Sequence, residues 1–345
     1  MYNMKKIFII QSLFIGLIFF LVSCKNQVNE FTDFNYTTGY FPYQYPVRTI
    51  ELGKDVIWDN TSDNNHKFLI STAMGGAYEN AVDREFTVEL AGSLCNNVLF
   101  ASSKDTVRLM PQSYYSLSSS KITIPAGKVN GGIDVQLSDA FFNDTLSIKL
   151  KYVIPLRIVN VTKLDSILRG SALVNNPNPL ITANWAVLPK DFTMFAVKFI
   201  NPYHGTYLHR GTSTVDSSAT RVETNLYHQK YVEQDELWTL QTKSLNKVTL
   251  SGGSHSRRVS GFLQMDLTFS NDGSCTITRA KGSSGYTITG SGKLVGDADS
   301  WGNKKRDAIY LQYKITSGVY SFSASDTLVV RDRGIVMETF QPQVY

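Results

Sequence analysis

Over most of its length the chain alternates apolar and polar positions with a period of two, the signature of half-buried strands. One stretch breaks the rule at the start. Ile7 to Val22 is apolar except for Gln11, Ser12 and Gly16, follows Lys5-Lys6, ends in Leu21-Val22-Ser23-Cys24, and turns polar at Lys25-Asn26-Gln27. Charge, apolar core and small-residue cleavage site in that order predict a secretory signal over residues 1–23. The run is shorter than the ~20 residues needed to cross hydrocarbon as a helix. Residues 24–39 read as a polar tether.

From residue 40 the pattern predicts a β-sandwich to residue 174. Its candidate strands are Val47 to Leu52, Lys67 to Thr72, Glu85 to Leu90, Lys121 to Ile124, Gly132 to Leu137 and Thr145 to Val161. Turn signals such as Gly75-Gly76 and Asn130-Gly131-Gly132 separate them, the spacing of an immunoglobulin-like sandwich. Asn175-Asn176-Pro177-Asn178-Pro179 suggests a linker over 175–190, because proline cannot donate to a central ladder. Residues 191–345 then read as an antiparallel meander that opens with Phe195 to Ile200 and closes with Ile335 to Phe340. So many sequential strands leave two raw edges unless the sheet closes, which predicts a barrel. The expected fold is all-β: an Ig-like sandwich followed by a lipocalin-like barrel.

Composition sharpens this picture in three ways. With 18 Tyr, 19 Phe and 4 Trp the chain favours strands. A net charge of +5 with no basic run longer than Lys304-Lys305-Arg306 excludes a nucleic-acid footprint. Apart from Cys24, Cys95 and Cys275 lie far apart and read as buried thiols, and the five His show no zinc-ligand spacing.

Leu21-Val22-Ser23-Cys24 resembles the lipobox of bacterial lipoproteins, in which the cysteine is acylated; long acyl chains would then anchor the chain stably. Tyr45-Pro46-Val47-Arg48-Thr49, Gly75-Gly76-Ala77-Tyr78-Glu79-Asn80, Pro111-Gln112-Ser113-Tyr114-Tyr115 and Phe199-Ile200-Asn201-Pro202-Tyr203-His204-Gly205 resemble the two-domain lipoproteins of glycan-utilisation loci in Gram-negative gut-type bacteria. That resemblance implies a sandwich followed by a lipocalin-like domain and an outer-membrane location on the cell surface or the periplasmic face. It also implies a glycan ligand and SusC/SusD-type transporter partners, with no cofactor.

Glycan binding directs attention to aromatic rings beside polar groups, since a pyranose stacks its apolar face on a flat ring. Trp301 lies in the polar run Asp297 to Lys304, read as a loop in which Asp299 and Asn303 flank the indole. Tyr203 and His204 occupy a Pro/Gly turn, Trp185 lies in the linker, Trp58 adjoins an Asp/Asn run, and Trp238 reads as core. In that Asp/Asn run Asp59 and Asp63 concentrate calcium-type oxygen ligands, although such residues also favour turns and the EF-hand pattern fails. A glycoside hydrolase is the alternative. It needs two carboxylates flanking one bond, and Asp235-Glu236, Asp297/Asp299 and Asp307/Asp332 are the visible pairs, none in a motif that sets that geometry. No nucleophile elbow exists, so no catalytic residue is assigned. A third reading is a structural transporter subunit without a ligand.

Replacing Cys24 by Ser should abolish acylation and leave unprocessed precursor or shed protein. Membrane fractionation with lipid labelling checks this, and a mutant that is still lipidated would refute the lipobox.

Overall fold

The computed structural model describes residues 34, 36–259, 262–283 and 285–345; the signal peptide, Cys24 and residues 24–33 of the expected tether lie outside the described residues. Among the described residues no helix is long and apolar enough to cross a membrane.

The first domain is a sandwich of two sheets. One runs, in spatial order, Ser166–Ile167, Thr38–Tyr40, Lys67–Gly75, Asn130–Leu137 and Tyr115–Leu117. The other runs Glu338–Thr339, Pro46–Glu51, Phe192–Ile200, Tyr152–Thr162, Arg84–Leu90 and Lys121–Ile124, with Arg108–Leu109 alongside Tyr152–Thr162. Period-two alternation puts Phe68, Ile70 and Met74 of one sheet against Ile50, Phe86, Ile154, Leu156, Ile158 and Phe199 of the other. The back of the second sheet is covered as well. There Val153, Phe192, Met194 and Ala196 pack with Val98, Phe100 and Phe340.

That second covered face explains the main departure from the expected organisation. The apolar run expected to open the barrel is instead a central strand of the sandwich. Phe192–Ile200 pairs parallel with Pro46–Glu51 and antiparallel with Tyr152–Thr162. Almost every residue of it is buried, and a run apolar on both faces suits a strand covered on both sides better than a barrel wall with one wet face. Residues 175–190 are accordingly an excursion within the first domain, in which Trp185–Val187 pairs with Ser171–Ala172. The chain end also returns there. Glu338–Thr339 pairs with Pro46 and Val47, and Pro342–Val344 with Val98–Phe100, so the closing barrel strand expected at Ile335 to Phe340 belongs to the sandwich too.

The second domain is a closed antiparallel barrel of eight strands. They are Gly205–Ser217, Glu236–Ser244, Lys247–Gly253, Phe262–Phe269, Ser274–Arg279, Thr287–Trp301, Lys304–Ser317 and Tyr320–Asp332, and the first pairs with the last to close the wall. Thr220–Tyr227 is added outside this cycle. Gly205–Ser217 pairs with Glu236–Ser244 up to His209 and with Thr220–Tyr227 from Gly211 onward, so the wall splits at Arg210. Inside lie Val248, Leu250, Met265, Leu267, Ile277, Ile309, Leu311, Ile315 and Phe322.

The chain enters the barrel after Asn201 and leaves it at Arg333, and the two crossings meet. The buried Arg333 donates to the carbonyls of Leu52 (2.9 Å), Lys54 (3.0 Å), Asn201 (2.7 Å) and His204 (2.6 Å). Glu51, also buried, approaches Arg333 to 3.7 Å. Burial, aided by a hydrogen bond with Asp55, pushes the Glu51 carboxyl up to about 7 against the pull of the guanidinium.

The folded state therefore holds the Glu51 proton more tightly than the unfolded chain, whose ordinary value is 4.5. The resulting stability is complete below about 4.5 and is lost as pH rises through about 7. Glu51→Gln should flatten that decline, by up to about 3 kcal/mol between the two ends. Urea denaturation of both proteins from pH 4 to 8 checks it; parallel pH profiles would show that Glu51 does not drive the change.

Candidate functional site

Two strands of the sandwich are only partly covered at their edges, and a cleft opens between them. Thr38–Tyr40 covers Lys67–Gly75 from Ala73 to Gly75 only. The chain then leaves at Phe41-Pro42, and a proline there cannot donate a further rung. In the facing sheet, Glu338–Thr339 covers Pro46 and Val47 only. The space between holds about 680 Å³, within the usual range for small-molecule sites. Leu69, Ile70, Ser71 and Ala73 form one wall, Arg48, Thr49 and Phe195 another, and Ile335 to Thr339 the rim on the side of the chain's return.

Two exposed aromatic side chains stand at this cleft, Trp58 (55% exposed) and Tyr43 (52% exposed). Trp58 is presented by a bend in which Asp55 accepts from the amides of Ile57 (2.5 Å) and Trp58 (3.1 Å). It also borders a second, polar hollow of about 210 Å³ lined by Glu51, Asp59, Asn60, Ser62 and Asp63; Arg48 and Ile335 border both spaces. The indole thus separates an apolar surface from a set of amide, hydroxyl and carboxylate groups. Arg48 is aimed by an ion pair with Asp63, which also accepts the amide of Glu51 at 2.9 Å. Burial raises the Asp63 carboxyl, against the pull of that amide and of Arg48. Asp59 accepts from the amide (2.9 Å) and hydroxyl (2.5 Å) of Thr61, and these bonds hold its carboxyl below its ordinary value. The two acids considered for calcium are therefore engaged by a turn and an arginine.

The residues expected to form a glycan site in the barrel do not come together as one. Asp297 to Lys304 is no open loop. After a bulge between Val295 and Asp299, Thr287–Trp301 turns into Lys304–Ser317 through Gly302-Asn303, both with positive φ (58° and 59°), the two-residue hairpin whose twist matches its strands. The Trp301 indole is spent on packing. Its Nε1 donates to the Val330 carbonyl at 3.1 Å, the Arg306 guanidinium lies 4.0 Å from the ring centre, and the ring packs on the buried Leu208, Ala308 and Val329. Asp299 accepts the amide of Ser300 at 2.7 Å, and Asn303 is exposed in the turn. Tyr203 is stacked on Phe269 at 3.6 Å. His204 borders a shallow hollow at the domain junction. Burial, and then the Arg333 charge, lowers its imidazole to about 4, and its Nδ1 accepts the Thr242 amide at 3.2 Å. Trp185 donates to the Asn178 carbonyl at 2.9 Å.

The carboxylate pairs considered for hydrolysis are divided among cations. Asp297 and Asp307 share Lys54 Nζ at 2.6 and 3.2 Å, Asp332 lies 3.6 Å from Arg331, and Asp235 holds Arg210 at 2.5 Å. Glu236 faces two histidines at the barrel wall. The residues that do line the cleft were hidden in the sequence because Arg48, Leu69 and Phe195 look like ordinary strand positions. The one available signal was Trp58, a large aromatic beside a run of turn residues.

These features define a two-domain β-protein in which a sandwich with an open cleft carries a closed barrel. Residues 34–165 match a family of N-terminal domains, and residues 202–334 match DUF5627, a domain of unknown function. A solved structure of a protein of unknown function from Bacteroides ovatus is 38% identical, with a TM-score of 0.83 covering 91% of this chain and 100% of that one. The chain belongs to the family of that protein. An auxiliary nutrient binding protein from Bacteroides thetaiotaomicron aligns over 82% of this chain and 90% of its own at 14% identity, with a TM-score of 0.37, too distant to bear on this chain. No curated protein matches.

Because Trp301 is half-buried against the barrel wall, Trp301→Ala should cost roughly 2–3 kcal/mol, below the range for fully buried tryptophans. Thermal melting checks this; an unchanged melting temperature would return the indole to the list of free binding surfaces.

Proposed function

We propose that this chain is a lipid-anchored outer-membrane protein that binds carbohydrate in the sandwich cleft without turning it over, as an accessory to a SusC/SusD-type uptake system. The observation that carries the reading is the position of Trp58 between the apolar cleft and the polar hollow. A sugar ring has the same two-sided character. Its C–H face can lie on the indole while Arg48, Asn60 and Ser62 reach its hydroxyls, an apolar surface joined to a few placed polar groups. The lipobox-like Leu21-Val22-Ser23-Cys24 supports the anchor, and the resemblance to lipoproteins of glycan-utilisation loci supports both ligand class and partner.

Binding is favoured over hydrolysis by the placement of the nearby acids: Glu51, the one carboxyl raised to about 7, is only 2% exposed and turned toward Arg333 at 3.7 Å, and the others are engaged. Asp63 pairs with Arg48, Glu338 holds Lys198 through both oxygens at 2.9 Å, and Asp59 caps a turn. A glycosidase needs one carboxyl free to donate a proton and another facing it across the bond.

A glycan array of plant cell-wall and mucin oligosaccharides should return a binder, and calorimetry should then show Trp58→Ala weakening it. By analogy with stacking on nucleic-acid bases, one ring is worth ~1–3 kcal/mol, a loss of roughly five- to 150-fold. Because Trp58 is exposed, the melting temperature should hold. An empty array, equal affinities, or release of new reducing ends would overturn the reading.

A further inference from the structure

The barrel holds a second constellation, unrelated to the cleft, at the point where its wall splits. Gly205–Ser217 alternates inward and outward, so Tyr207, His209, Ser213 and Val215 lie on its buried face. At His209 the pairing partner is Glu236, the first residue of its strand. Beyond it the partner changes to Thr220–Tyr227, leaving a break in the wall beside Glu236. The segment after Lys247–Gly253 brings His255 to the same place. Three side chains from separate parts of the chain therefore converge. His209 Nδ1 lies 2.5 Å and His255 Nε2 2.6 Å from one oxygen of Glu236, and the three atoms lie within 4.8 Å of one another.

Each member is held in place by its surroundings. The His209 ring, 1% exposed, stacks on Trp238 at 3.5 Å, and the His255 ring stacks on Tyr227 at 4.1 Å. The far nitrogen of His209, Nε2, is buried and faces Asp326 Oδ2 at 3.3 Å. Asp326 is 2% exposed and accepts the hydroxyls of Tyr227 at 2.5 Å and Tyr313 at 2.7 Å. Gly211 leaves room for this arrangement, since a Cβ there would stand 2.4 Å from the Asp326 carboxylate and 2.9 Å from the Tyr227 ring. The loop carrying His255 is tied down by Glu223, which accepts from the Ser256 hydroxyl and the Arg257 amide, both at 3.1 Å.

We propose that His209, Glu236 and His255 form a binding site for one divalent transition-metal ion of the zinc class, with Asp326 as the outer carboxylate that orients His209. Two imidazoles and one carboxylate are a common three-ligand set for zinc and leave a fourth position open. A ligating histidine almost always donates its other N–H to a carboxylate, a backbone carbonyl or water, and Asp326, already the acceptor of two phenols, lies 3.3 Å from His209 Nε2 as such an acceptor. That leaves the Nδ1 lone pair pointing at Glu236 and His255, where a cation rather than a proton would join the three. His209 is buried, whereas Glu236 and His255 are exposed. The open position therefore faces solvent through the break in the wall.

The test uses the full chain purified in detergent, stripped with chelator and titrated with zinc chloride, with cobalt(II) as the spectroscopic reporter. One metal per chain is expected, with cobalt giving the visible bands of a low-coordinate nitrogen/oxygen site. His255→Ala should weaken binding at least 100-fold, with circular dichroism of the metal-free variant showing that it stays folded although its ring stacks on Tyr227. Asp326→Asn should weaken it by roughly 10–100-fold. His66→Ala, in the sandwich, should leave binding unchanged. Absence of stoichiometric binding of zinc or cobalt, or binding indifferent to both His255→Ala and Glu236→Gln, would overturn the proposal. Neither result bears on the cleft, which shares none of these residues.

Discussion

A single buried guanidinium holds the two domains in one arrangement. Where the chain passes into the barrel and back out, backbone carbonyls of Leu52, Lys54, Asn201 and His204 converge without strand partners, and Arg333 donates to all four. A buried carbonyl left without a donor carries a desolvation cost, and this planar donor fork offsets it here together with the His204 amide, which also donates to the Asn201 carbonyl at 3.2 Å. Asn201 secures the other side of the crossing by donating to the carbonyls of Ser244 and Lys247. Lys54 and Lys304 add a second seam between the sandwich and the barrel hairpin, through Asp297, Asp307 and the Val56 carbonyl.

The cleft depends on that junction. Ile335 to Thr339, which make its rim, are separated from Arg333 by a single residue, and the bend carrying Trp58 follows Lys54. Both are positioned by segments the guanidinium holds. The barrel is thus an insertion between two parts of one sandwich, and its two ends deliver the strands that complete the first domain's sheets. Both candidate sites lie where a β-ladder is interrupted: at half-covered strand edges in the sandwich, and at the change of partner in the barrel wall. An uninterrupted ladder satisfies its own backbone and leaves its side chains to packing; an interruption is where polar side chains gain both room and solvent.

Local pattern carried the fold class. Period-two alternation, the turn signals and the surplus of aromatic residues are consequences of one wet and one dry face per strand, so they were readable from the amino acids alone. The same is true of the Gly302-Asn303 turn in principle, since a glycine beside an asparagine between alternating runs favours a two-residue hairpin. Reading that stretch as an open loop made Trp301 look free, when its ring covers Leu208, Ala308 and Val329.

What the chain could not announce was which strands share a sheet and which distant side chains share a point. Phe192–Ile200 shows its apolar character plainly, but apolarity does not name a partner, and its place beside Pro46–Glu51 goes with the back of the sandwich being covered by Leu94 to Val107 and by Phe340. His209 and Glu236 lie 27 positions apart, and His255 a further 19. No short motif spans such distances, so five scattered histidines carried no metal signature. Secondary structure is set by neighbours in sequence and is written there. A site assembled from three strands and a loop is set by register and closure, and those are decided only when the whole barrel forms.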